Sequence, residues 1–149
     1  MRVNIFKITK GILNFMFIAG IVVVITLPIT LKFYGENIDH SVKDYLIQMI
    51  IVFSISGILS LAIVFELIKM FKTVLRNDCF VRENVVSLNR MCWYSCGIAA
   101  MMLVRCIFYV TIGSLAMAFV FFIAGLFSKV LAQVFDKAIT YKLENDLTI

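Results

Sequence analysis

The sequence predicts an all-α fold: an integral membrane four-helix bundle with short cytoplasmic helical extensions. Hydrophobic residues make up 62% of the 149 positions and charged residues 15%, whereas an ordinary soluble domain has about 45–50% apolar and about 25% charged residues. The mean hydropathy is +1.02. The apolar excess lies in a few long runs with basic residues beside them. These observations exclude a soluble globular domain and predict membrane spans.

The first two spans are predicted at about residues 11–31 and 45–65, and neither contains a charged residue. A 21-residue helix rises about 31 Å, which matches the hydrocarbon core of about 30 Å. The first run follows basic residues as a signal peptide does, but it is too long and lacks a small-x-small cleavage pattern. We therefore expect it to be a retained span.

The third and fourth spans are predicted within one long apolar stretch, residues 91–128, which contains one charge, Arg105. As an unbroken helix this stretch would be about 57 Å long, so the chain must fold back within it. The turn is expected at 111–114, around its only central glycine. This predicts spans at about 91–111 and 115–135.

Lys and Arg are concentrated on alternate sides of the four spans. Three precede the first span, five lie in the linker 66–90 and three follow from Lys129 onward, but only two separate the first two spans and none lies in the expected turn. Because cytoplasmic segments carry the excess of Lys and Arg, both termini, the linker and the tail 136–149 are expected to be cytoplasmic in a multi-pass cell-membrane protein. The net charge of +5 therefore reflects topology, and direct nucleic-acid binding is not expected.

The predicted cytoplasmic segments keep a helical pattern. Apolar residues after the second span recur at helical spacing with basic residues opposite, and a second stripe follows a break at Asn77 and Asp78. The tail repeats the arrangement. Two interpretations stay open: contact with lipid headgroups, or a surface that docks a partner.

Arg105 is the one charge within an apolar run. The favoured interpretation is that its side chain extends to the outer lipid headgroups, because long cationic side chains near a span end can do so. The alternative is a cation that faces the bundle and pairs with Asp39, Asp44 or an anionic ligand. Gln48 lies near a span end, where water or a cross-helix hydrogen bond is expected to satisfy it.

The sequence has few residues that would indicate an enzyme, a metal site or a proton-coupled carrier. No Asp or Glu lies within an apolar run, and Glu66 is at the edge of the second span, so the buried carboxylate of proton-coupled carriers is not expected. Motifs for hydrolases, metalloproteases and nucleotide binding do not occur, and the four cysteines form no Cys-x-x-Cys pair. We expect no enzyme activity, cofactor or metal; the lipid bilayer is the expected environment, and a homo-oligomer is compatible with the apolar surface.

Two stretches carry a resemblance to a known family. The linker has Phe80, then Glu83-Asn84, then Leu88 and Arg90 before the third span, and the chain ends in Glu144-Asn145-Asp146-Leu147-Thr148-Ile149. These motifs, and the order of four spans, resemble over the whole chain a family of small bacterial membrane proteins catalogued as a domain of unknown function, DUF2975. Cys79 and Val81 depart from the pattern, in which Pro and a helix-capping Ser or Thr are common.

Members of that family resemble partners of small helix-turn-helix transcription regulators, beside which they are often encoded. The resemblance implies a non-enzymatic protein that anchors or regulates such a cytoplasmic regulator. The alternative is an immunity or efflux component that binds an amphipathic peptide or a small lipophilic compound. The residues expected to dock a partner are Phe80, Arg82, Glu83, Asn84, Arg90, Glu144, Asn145 and Asp146.

Overall fold

The computed structural model describes residues 2–37, 45–76 and 79–147. Nearly all of them are helical, and the described ranges contain no strand, which confirms the predicted all-α fold. Each helix is long and apolar enough to cross a membrane. The helices are α1 (Arg2–Asn37), α2 (Leu46–Leu75), α3 (Arg82–Phe108) and α4 (Ile112–Leu147).

The helices alternate in direction, and each packs mainly against its neighbour in the chain: α1 on α2, α2 on α3 and α3 on α4. α3 is therefore central. α1 is peripheral, and no residue of its most apolar stretch is buried within the part of the chain that is described. We call the end around Thr73 and Asn84 the linker end, and the end around Tyr45 and Tyr109 the turn end.

The core lies where α3 meets its two neighbours. Val52, Ile98, Met102 and Ala118 are buried together there. Small residues bring α3 and α4 close: a Cβ atom added to Gly125 would lie 3.0 Å from the Sγ of Cys96 and 3.4 Å from a backbone carbonyl oxygen of α3. Close approach through small residues is typical of helices that associate in membranes.

The helix boundaries agree with the predicted extensions and correct the predicted turn. α2 continues to Leu75, and α4 continues to Leu147. The turn between α3 and α4 lies at residues 109–111, before the expected 111–114. The backbone N–H groups of Ser114 and Leu115 donate to the carbonyl oxygen of Thr111, so the helix has already begun where Gly113 lies. The break expected at Asn77 and Asp78 lies outside the described residues.

Candidate functional site

A buried carboxylate lies at the linker end. Glu66 is 3% exposed; its Oε2 accepts a hydrogen bond of 2.6 Å from the Oγ of Ser87, and its Oε1 is 3.2 Å from Nη1 of Arg90. A buried charge is costly unless it is paired and hydrogen-bonded. Ser87 and Arg90 meet that need because they lie on one face of α3. The expectation that the chain has no buried carboxylate is therefore wrong.

Asn84 fixes the linker between α2 and α3. Its side chain is 2% exposed, and its Nδ2 lies 2.8 Å from both the carbonyl oxygen of Cys79 and the Oγ1 of Thr73. Val81 precedes α3 and provides no side-chain cap, so these bonds hold the start of the helix instead. Asn84 is thus not accessible to a partner, and its placement among the docking residues is corrected.

Contacts with α4 hold the outer part of the linker. Arg82 forms an ion pair with Asp136, and the rings of Phe80 and Phe135 have centroids 5.4 Å apart. The side chain of Arg82 is nevertheless 74% exposed, and Phe80 is 47% exposed. Both residues are therefore held in position and still accessible.

An open cavity of about 220 Å³ lies beside these residues, and we call it the linker cavity. Its accessible charges come from Arg76, Arg82 and Glu83. Arg76 ends α2 and was not among the docking residues expected from the sequence. The signal that could have found it is its position on the basic face just before the break in the helical pattern. The lining consists of Thr73, Arg76, Val81, Arg82 and Glu83.

Arg90 and the acidic end of α4, which were also expected to dock a partner, do not line this cavity. Arg90 is engaged with the buried Glu66. The acidic end of α4 starts at Glu144, eight residues beyond Asp136, which is about 12 Å further along the helix axis. The part of this acidic end in docking stays a prediction.

At the turn end, Arg105 faces the bundle. Its guanidinium carbon is 4.9 Å from the ring centroid of Phe53 on α2, and its Nη1 donates to the Oγ of Ser114 on α4. The favoured interpretation, in which the side chain extends along the outside of the bundle to the lipid headgroups, therefore does not describe Arg105. Its side chain lies between α2 and α4. Asp39 and Asp44, the expected pairing carboxylates, lie outside the described residues.

A second cavity of about 220 Å³ adjoins Arg105, and we call it the turn cavity. Gln48 and Arg105 lie beside it together with Tyr45 and Tyr109, whose ring centroids are 6.2 Å apart, and its walls are almost entirely apolar. The buried atoms Gln48 Oε1 and Arg105 Nε find no hydrogen-bond partner among the described residues. The cross-helix bond expected for Gln48 is therefore not made by its oxygen.

An apolar groove of about 710 Å³ runs between α3 and α4. Leu103 and Ala99 line it from α3, and Leu115 and Phe119 line it from α4. Its walls have almost no polar surface. No group of three His, Cys, Asp or Glu side chains that could hold a metal ion occurs in the described ranges.

Residues 30–149 match the family described as "Protein of unknown function (DUF2975)". The chain belongs to this family. The resemblance inferred from the linker and tail motifs is thereby confirmed, although the match begins within α1 and does not cover the whole chain. No curated protein and no solved structure shows significant similarity to the chain.

Proposed function

We propose that this DUF2975 protein is a non-enzymatic membrane anchor that binds a cytoplasmic helix-turn-helix regulator at its linker end. The observation that carries the proposal is the linker cavity, a small recess surrounded by accessible charges at the ends of two helices. A preformed surface loses less conformational freedom on binding than a flexible segment does. The family resemblance supplies the class of partner.

The charge of this surface indicates which face of the partner it fits. Arg82 is paired with Asp136, whereas Arg76 at the linker cavity has no described carboxylate partner, so an acidic side chain of the regulator is the complementary group for Arg76. Phe80 adds an exposed aromatic ring next to Arg82. A few aromatic and arginine contacts commonly dominate the binding energy of protein interfaces.

The distribution of basic residues supports a cytoplasmic linker end. The N-terminal segment, the linker and the end of α4 carry most of the Lys and Arg residues, and the helix directions bring these segments to the same end of the bundle. Under the positive-inside rule this end faces the cytoplasm of a multi-pass cell-membrane protein. A soluble regulator then has direct access to the linker cavity.

Affinity purification in mild detergent tests the proposal. We expect the wild-type chain to retain a helix-turn-helix regulator, and Arg76→Ala, Phe80→Ala and Arg82→Ala to reduce its recovery at unchanged membrane abundance. Glu144→Ala asks whether the acidic end of α4 also contributes. Lys32→Ala, an exposed cation near the end of α1, is the matched control and should retain the partner. Full recovery with all the linker variants would contradict the proposal.

The apolar groove between α3 and α4 favours a second candidate function, the binding of an amphipathic peptide or a small lipophilic compound in an immunity or efflux role. Its size, about 710 Å³, is within the range of ligand sites. Replacing Leu103 with Trp would fill the groove. If this function holds, deletion of the gene should lower toxin tolerance and the wild-type gene should restore it. The Leu103→Trp variant should not restore it.

A further inference from the structure

We propose that Cys92 and Cys96 form a binding site for a soft monovalent metal ion, Cu(I), which their two thiolates hold in linear coordination. Both cysteines are free and half-buried on α3. The site lies where α3 packs against α4, and neither cysteine lines the linker cavity. Metal binding here is therefore separate from the binding of a regulator.

The two cysteines face α4 from successive turns of α3. Residues four apart on a helix lie on one face, with Cβ atoms about 5–6 Å apart. A Cβ atom added to Gly125 of α4 would lie 3.0 Å from the Sγ of Cys96 and 3.4 Å from the carbonyl oxygen of Cys92. The Cys92 thiol is also close enough to the Cys96 thiol to interact with it directly. Two sulfur ligands therefore adjoin in one helix interface.

Two thiolates suit an ion that needs only two ligands. Metal–thiolate bonds are about 2.3 Å long in zinc sites, so an ion in line between two sulfur atoms separates them by roughly 4.6 Å. Side chains one helical turn apart can span that distance, and the ion needs no cavity beyond the gap between them. Zinc sites take four ligands, whereas the described ranges hold no group of three His, Cys, Asp or Glu side chains for a metal. Soft thiolate ligands favour Cu(I).

Lys129 of α4 is positioned beside the cysteine pair. Its Nζ donates a hydrogen bond of 2.8 Å to the Oδ1 of Asn89, which lies one turn before Cys92 on α3. The Nδ2 of Asn89 donates in turn to the carbonyl oxygen of Val85, 3.1 Å away. Because Asn89 is a neutral partner, the ammonium charge is not cancelled by it. This charge is near enough to the Cys92 thiol to interact with it.

The charge of Lys129 favours a monovalent ion. Binding converts two thiols into thiolates and releases two protons to solvent, so a bound Cu(I) leaves the complex with one negative charge. Lys129 balances that charge, whereas a divalent ion between two thiolates would leave the site with a net positive charge. A partly buried site is more stable when its charges are paired.

The oxidation state of the thiols follows from the proposed orientation. Cys92 is ten residues beyond Arg82, where α3 starts at the linker end, or about 15 Å along the helix axis. Lys129 beside it is exposed. With the linker end in the cytoplasm, as proposed above, the thiols stay reduced and able to bind a metal.

Cu(I) binding by the purified full chain in mild detergent, reduced and kept without oxygen, tests this inference. Cu(I) is supplied from a coloured chelator that competes for it, and the loss of colour gives the affinity of the protein. We expect the wild type to bind one ion per chain. Cys92→Ser and Cys96→Ser should each weaken binding by about a hundredfold or more, since even changes behind the ligands cost about 10–100-fold.

Cys106→Ser is the matched control for the two serine variants. Cys106 is also a free, half-buried cysteine of α3, but it lies ten residues beyond Cys96 and is not part of the pair. This variant should bind Cu(I) as the wild type does. Equal affinities of the wild type, Cys92→Ser and Cys96→Ser would overturn the site.

Lys129→Gln tests the charge argument. We expect it to lower the affinity for Cu(I) by about tenfold, at the lower end of the range for groups that surround metal ligands. Lys137→Gln removes an exposed cation two turns further along α4 and should leave the affinity unchanged. Equal affinities of Lys129→Gln and the wild type would overturn the assignment of the charge balance to Lys129.

A measurement on the wild type keeps the test decisive if the serine variants fail to fold. Bound Cu(I) should protect Cys92 and Cys96 from alkylation by iodoacetamide, read at each cysteine by mass spectrometry. Cys79 and Cys106 should react as they do in the metal-free chain. Equal protection of all four cysteines, or no protection of the pair, would overturn the site. Displacement of Cu(I) by an equal concentration of Zn(II) would overturn the two-coordinate assignment.

Discussion

Glu66 has the strongest electrostatic constraint among the described side chains of the linker end. It is buried, whereas the side chain of its cationic partner Arg90 is 54% exposed. The carboxylate therefore depends on side chains of α3 for its hydrogen bonds, but the arginine can also bind water. Removing the carboxylate charge therefore leaves a cation that water can still stabilise. Removing both the Ser87 hydroxyl and Arg90 leaves a buried anion, which costs more.

We predict that Glu66→Gln lowers the free energy of unfolding by about 1–3 kcal/mol, because the Ser87 hydroxyl and Arg90 then lose an ionised acceptor. The melting temperature in mild detergent measures the change. Glu83→Gln is the matched control, since Glu83 is an exposed carboxylate at the same end of the bundle, in the first turn of α3, and it should leave the melting temperature unchanged. The effects of Glu66→Gln and Arg90→Gln should be less than additive; additive effects would show that the pair contributes nothing.

The roles of single polar residues were poorly predictable from the sequence. Glu66 stands at the end of an apolar run, and that position alone is compatible with an exposed carboxylate at a membrane boundary. Its partners are 21 and 24 residues away, so its burial depends on how α2 packs against α3. The same holds for Asn84, which pairs with Thr73 across the linker.

The interface between α3 and α4 depends on glycine at one position and not at another. A Cβ atom on Gly125 would crowd Cys96 and the backbone of α3, whereas one on Gly113 would meet nothing within 4 Å. Both residues lie in α4, Gly113 in its first turn and Gly125 in its interior, so helix propensity favours alanine more strongly at Gly125. A lower stability of the Gly125 variant would therefore reflect helix packing and not helix propensity.

We predict that Gly113→Ala leaves the stability unchanged or raises it by less than the roughly 1 kcal/mol that alanine gains over glycine in a helix interior, while Gly125→Ala destabilises the protein. Crowding in a packed interface typically costs about 1–3 kcal/mol, which offsets the propensity gain. Thermal unfolding of the two variants in the same detergent makes the comparison. A Gly125→Ala variant as stable as Gly113→Ala would mean that α3 and α4 do not pack closely at this point.

At the scale of helices, the sequence was informative about length and less so about boundaries. The apolar runs predicted four helices because hydropathy is a local property, and the amphipathic extensions of α2 and α4 followed from local periodicity. The predicted turn lies too far along the chain because the prediction centres it on Gly113, which is already helical. The turn consists of residues 109–111. The carbonyl oxygen of Thr111 accepts the first backbone hydrogen bonds of α4.

At the scale of the whole molecule, the order of packing depends on contacts that no local pattern reports. α3 carries the polar side chains that contact both neighbours, from Asn84 at one end to Arg105 at the other, and α1 contributes none of the described cross-helix hydrogen bonds. The N-terminal helix is thus attached mainly through its apolar contacts with α2, such as those of Phe17 with Phe65.

We predict that the protein crosses the membrane four times with both termini inside. Reporter fusions at Lys10, Asn37, Asn77 and the C-terminus should report inside, outside, inside and inside, because the basic segments stay in the cytoplasm. The measurement is the activity of a paired reporter whose two halves are each active on one side only. An outside signal at the C-terminus would contradict this orientation and remove the cytoplasmic access that regulator binding needs.

Cys79 provides an independent check on which end of the bundle is cytoplasmic. It is a free, half-buried thiol in the linker, so a reagent that reaches the linker end can modify it. With the other three cysteines replaced by Ser, a membrane-permeant maleimide should label Cys79 in intact cells, and an impermeant one should not.

A matched cysteine at the turn end should show the opposite behaviour towards the impermeant reagent. Val110 lies in the turn between α3 and α4 and is 79% exposed, so Val110→Cys in a chain without other cysteines should be labelled by the impermeant maleimide in intact cells. The comparison separates sidedness from reactivity, because both thiols lie outside the helices. Rapid impermeant labelling of Cys79 together with protection at position 110 would reverse the orientation, and it would direct the linker cavity away from any cytoplasmic regulator.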